Sequence, residues 1–172
     1  MISPGPNDAR QFTSTLVRQP RAIGGWDASD AEWAATVDCL RALWAPFDVA
    51  ITDVDPGDTP HMTAMFGGAP ADLGMPDELG GVAPFASDCG VVEHAIVFAF
   101  TANLPRRPRT VCEVMAQELG HAYGLDHELV AADPMTYLPY AGERAFQDVT
   151  ERRERDLAQR LSVRCAGITP GH

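Results

Sequence analysis

Four side chains of types that bind metals and move protons lie in the stretch Gln117-Glu118-Leu119-Gly120-His121-Ala122-Tyr123-Gly124-Leu125-Asp126-His127. Residues four apart on a helix share a face, with Cβ atoms about 5–6 Å apart, so Gln117 and His121 can converge on one ion. Glu118 lies beside that face and can reach a water on the ion without ligating it. Gly124 takes a positive φ at low cost and turns the chain sharply out of the helix. His127, three residues on, can then come back to the same point as a third ligand. Three protein ligands with one position left open describe a catalytic zinc site. The run is H-E-x-x-H-x-x-G-x-x-H with glutamine in place of the first histidine.

A methionine-containing turn, Asp133-Pro134-Met135-Thr136-Tyr137, follows. The long motif with such a turn downstream is the metzincin arrangement, and the sequence resembles that clan of zinc metallopeptidases. Gly120 and the run from Gly124 to His127 look most like its matrixin and gametolysin-like branches. The resemblance implies Glu118 as general base, His121 and His127 as zinc ligands, Met135 as an apolar floor and Tyr137 as oxyanion partner. It also implies an extended peptide or protein substrate paired with an edge strand at residues 82–85, with residues 138–142 shaping a side-chain pocket. Gln117 is where the chain departs from the pattern.

A neutral amide oxygen is a weaker zinc donor than imidazole. Structural zinc sites are worth on the order of 10–16 kcal/mol, so a weakened ligand leaves room for binding. An amide adds no negative charge, so the zinc would remain a good Lewis acid. One reading is therefore a zinc endopeptidase in which Gln117, His121 and His127 hold the metal. The alternative is a non-catalytic scaffold that binds extended peptides with weak or no zinc. A helix with two incidental histidines explains neither Gly124 nor the spacing of His127. Retention of Glu118 favours activity, since a buried carboxylate without a metal is costly.

Other candidates have blander readings. His94 sits in an apolar run and reads as a satisfied core or sheet-face histidine, while His61 begins a strand and is weak evidence for a second metal. His172 is terminal. Asp126 is expected to support the turn or a hydrogen bond behind the ligands.

At 172 residues the chain has the length for one domain with a substantial core. A net charge of −11 argues against nucleic-acid and anionic-membrane surfaces, and no apolar run reaches the length of a membrane span. The start, Met1 to Pro6, lacks a basic segment followed by a hydrophobic stretch. That leaves a cytosolic chain or one whose leader has been removed. The resemblance favours a secreted or exported monomer. Cys39, Cys89, Cys112 and Cys165 contain no C-x-x-C pair, and two disulfides with three possible connectivities, or four free thiols, are open.

The expected class is α+β. Residues 1–27 form an N-terminal extension or first strand, with a short strand at 12–17. Ser29 to Glu32 is a capping box opening a helix with Trp33, Val37, Leu40 and Trp44 on one face, stopped by Pro46. Phe47, Val49 and Ile51 alternate with polar or small residues as in a half-buried strand. Strands are expected at 62–66 and, centrally, at 91–100, with 67–90 mainly loop. A second capping box, Thr110 to Glu113, would start the motif helix. Asp148 to Glu151 would cap a last helix with Leu157 and Leu161 inward. The resemblance covers residues 28–165 as the catalytic domain, a twisted mixed sheet with a backing helix, an active-site helix and a C-terminal helix, leaving 166–172 as a tail.

Overall fold

The computed structural model describes residues 1–147. The expected last helix with its cap, Cys165, the tail and His172 lie outside the described residues, as does the end of the 28–165 domain.

Two short strands, β1 (Ser3–Pro4) and β2 (Thr13–Ser14), pair in parallel near the N-terminus. Helix α1 (Asp30–Trp44) follows. The capping box forms as expected: Ser29 Oγ accepts from the Glu32 N–H at 3.3 Å, and the Glu32 carboxylate accepts from the Ser29 N–H at 2.8 Å. Val37, Leu40 and Trp44 are buried, and Trp33 packs edge-on to Phe66 with centroids 5.4 Å apart.

The sheet comprises β3 (Thr63–Phe66), β4 (Gly81–Val82) and β5 (Ile96–Ala99), in spatial order β3-β5-β4. β3 runs parallel to β5 and β4 antiparallel to it, so the sheet is mixed and the protein α+β. β5 is central and wholly buried, but it is only the later part of the strand expected at 91–100: Val91 is exposed and His94 takes a positive φ ahead of Ile96. A strand alternates its side chains between faces, and the two faces carry separate cores. Ala95, Val97 and Ala99 pack with α1 and helix α2 (Pro108–Ala122). Ile96, Phe98 and Phe100 pack with Ile2, Ala9, Val17 and Leu73. The N-terminal segment thus covers one face of the sheet and the two helices cover the other.

A disulfide, Cys39–Cys112, joins α1 to α2 with Cα atoms 6.1 Å apart, and no described cysteine is free. None of the helices among the described residues is long and apolar enough to cross a membrane.

Several local expectations are corrected. Residues 47–52 form no strand: the odd positions are half-buried and the even ones exposed, but among the described residues no strand lies beside them. Alternation reports a one-sided apolar contact, and a strand also needs a neighbour at hydrogen-bonding distance. The strand expected at 12–17 shrinks to Thr13–Ser14, and the edge expected at 82–85 to Gly81–Val82. Helix α2 starts at Pro108, with Arg107 as a cap that offers no side-chain bond. Proline pre-sets the φ of a first helical residue, which puts Thr110 inside the helix and not at a capping position. Residues 67–90 contain a 3-10 turn, Pro70–Leu73, besides β4. His61 lies before β3, its Nδ1 2.7 Å from Thr59 O. His94 takes φ 59 ahead of β5, and its buried Nδ1 has no hydrogen-bond partner among the described residues, so it is not the satisfied histidine expected.

Candidate metal centre

Helix α2 carries Gln117, Glu118 and His121 in its last turns and ends at Ala122, one residue later. Its exit is a Schellman motif: the Leu125 N–H donates to Gly120 O and the Gly124 N–H to His121 O, both at 2.9 Å. Gly124 has φ 89, and a Cβ there would collide with the Cys89 carbonyl. Both facts demand glycine. The reversal brings His127 back over the helix, so that its ring centroid lies 4.6 Å from that of His121. Asp126 supports the turn, its Oδ1 accepting from the His127 N–H at 2.8 Å.

The three expected ligands come together. Gln117 Nε2 lies 3.4 Å from His127 Nδ1. His121 Nδ1 is 2.8 Å from Leu125 O, and His127 Nδ1 is 3.3 Å from Met135 O. A ring whose Nδ1–H donates to a carbonyl leaves Nε2 as a lone-pair donor, the tautomer a metal-ligating histidine uses. This assigns the tautomer for His121, whereas the Nδ1 of His127 stands between the Gln117 amide nitrogen, which can only donate, and Met135 O, which can only accept. No three His, Cys, Asp or Glu side chains among the described residues form a metal-binding group, because the position that would complete one is an amide.

Glu118 is 7 % exposed and lies against β4. A Cβ on Gly81 would come within 2.7 Å of its Oε1, so the strand can pass that close only as glycine. Burial alone pushes the Glu118 carboxyl up to about 8. Burial likewise lowers the His121 imidazole, and the hydrogen bond to Leu125 O partly offsets this. Among the buried polar residues, Gln117, Glu118, Asp133 and Thr136 all belong to the motif helix or the methionine turn.

Met135 is fully buried and its Sδ packs against the Cα of Gly120, where any Cβ would clash. Asp133 shapes this turn by accepting from the Met135 N–H and the Gln147 N–H, each at 2.7 Å. Tyr137 is 74 % exposed and its ring leans on His127 at 4.3 Å between centroids. Partial desolvation of its hydroxyl nevertheless raises that group's pKa, and the Glu118 and Asp126 charges raise it further. Phe85 meets His121 edge-on at 6.0 Å, so the segment after β4 borders the site.

Sequence reasoning missed the network that holds the methionine turn to α2. Arg109 donates to Glu113 Oε1 at 2.7 Å and to Arg144 O. Glu113 Oε1 also accepts from the Arg144 N–H at 3.2 Å, and the Arg144 guanidinium donates to Thr136 O at 3.2 Å and Leu138 O at 2.7 Å. The i,i+4 spacing of Arg109 and Glu113 was a visible signal, whereas Arg144 carried none.

No protein-family model, curated protein or solved structure matches the chain.

Proposed function

We propose that this chain is a metzincin-like zinc endopeptidase. The observation that carries the reading is the convergence of Gln117, His121 and His127 beside the buried Glu118 and above Met135. Gln117, His121 and His127 would hold the zinc, whose chemistry when bound is Lewis acidity towards a carbonyl and a lowered pKa for water. Glu118 takes a proton from water and passes it to the leaving amine. A carboxyl with a pKa of about 8 is mostly protonated at neutral pH, and a neighbouring cation draws it back towards the ionised form that a base requires. Tyr137, whose ring leans on His127, would donate a hydrogen bond to the oxyanion. An extended substrate would add to the outer edge of β4 and run past Phe85.

A second reading has its own observation. The amide of Gln117 leaves two imidazoles in the site among the described residues, which suits a peptide-binding scaffold with weak or no zinc. Elemental mass spectrometry after dialysis against metal-free buffer and zinc addition separates the two. Near one zinc per chain is expected, with peptide-library cleavage abolished by Glu118→Ala and zinc retained. Gln117→His should tighten zinc binding without altering the fold. A chain that keeps no zinc even when the ion is in excess would leave the peptide-binding scaffold as the reading.

A further inference from the structure

The opposite edge of the sheet carries a second inference, independent of the metal centre. β3 is a terminal strand, with β5 on one side and, among the described residues, no strand on the other. The Thr63 N–H donates to Ala95 O at 2.9 Å and the Gly67 N–H to Ala99 O at 3.1 Å. Alternate residues of a strand direct their backbone groups to opposite sides, so Ala64 and Phe66 present N–H and C=O outward. Their side chains pack with the core on the helix face of the sheet. Across from them runs segment 50–54, which belongs to no strand, and a cavity of about 560 Å³ lies between, lined by Trp33, Val37 and Leu40 of α1. Among the described residues no backbone hydrogen bond reaches these outward groups, and such an edge templates the addition of a strand.

We propose that this slot receives an extended peptide strand from a partner protein, paired with the backbone of Ala64 and Phe66. Its apolar residues would alternate so as to face Trp33, Val37 and Leu40, as β-augmentation requires. Its flanks would carry lysine or arginine. Asp53, Asp55 and Asp58 stand at the rim. Asp53 is paired with Arg41 at 3.0 Å, and Arg10, also at the rim, is paired with Asp8 at 3.3 Å. The net local charge therefore comes from the exposed Asp55 and Asp58. The slot is short: residues Gly24 to Trp26 cross at Gly67, where any side chain would meet their backbone.

The test is a titration of the isotope-labelled full chain, followed by backbone amide NMR, with an end-blocked peptide of alternating lysine and valine. The expected result is saturable binding with the largest shifts at Ala64 and Phe66. N-methylation of alternate peptide nitrogens should weaken it at least tenfold by removing the strand's donors. Asp55→Asn with Asp58→Asn should weaken it several-fold. Equal affinity for the N-methylated peptide would overturn strand pairing without any change to the protein. Shifts confined to Gly81 and Val82 would overturn the proposal too, by placing the peptide on the β4 edge.

Discussion

Glu118 is the residue on which the proposed chemistry and the stability of the chain meet. The unfolded carboxyl ionises near 4.5, whereas the folded one is pushed up to about 8. Between those values the unfolded chain has lost a proton that the folded chain keeps, so the stability of metal-free protein falls as pH rises through this window. At about 1.4 kcal/mol per pH unit, the full effect approaches roughly 5 kcal/mol. Glu118→Gln cannot ionise and should flatten the profile. Thermal unfolding in chelator at pH 5 and pH 8 measures this, with a wild-type midpoint that drops more steeply than the variant's. Equal slopes would mean that the carboxyl reaches solvent.

At the scale of elements, the site is a helix end and a turn strapped together. The Schellman exit at Gly124 aims His127, and the Arg109–Glu113–Arg144 network holds the turn that carries Met135 and Tyr137 against the first half of α2. Arg144 bonds the carbonyls on either side of Tyr137, those of Thr136 and Leu138. Hydrogen bonds to charged groups are worth about 1.5–3 kcal/mol. Arg144→Ala should therefore cost roughly 2–3 kcal/mol in chemical denaturation and speed amide exchange around residues 136–139, with α1 unchanged. A loss near zero would show that the turn keeps its shape without the strap.

At the scale of the molecule, α1 and α2 share one face of a three-stranded sheet and are joined covalently. The Cys39–Cys112 bridge spans a sequence separation of 73 residues. By the chain-entropy argument it stabilises the fold by roughly 4 kcal/mol. Cys39→Ala with Cys112→Ala should lower the denaturation free energy by about that amount while leaving the helical circular dichroism at low denaturant intact. A change below roughly 1 kcal/mol would mean that the α1–α2 interface alone sets their relative position. The N-terminal segment is part of the same unit, since Ile2, Ala9 and Val17 complete the second core.

What the sequence determined is what depends on neighbours along the chain. The Ser29–Glu32 capping box, the apolar stripe of α1, the buried run that became β5 and the Gly124 exit each follow from spacings of a few residues. So does the placing of Gln117 and His121 on one helix face. Tertiary structure decided what distant residues do to one another. It paired Cys39 with Cys112, shortened the strands at 12–17 and 82–85, and brought Arg144 to Glu113. It also left residues 47–52, among the described residues, without a strand beside them although their pattern alternates as a strand's does. The physical reason is that periodicity records which side of a segment is buried, whereas hydrogen-bonded pairing, disulfide choice and ion-pair networks depend on what the rest of the chain places beside it.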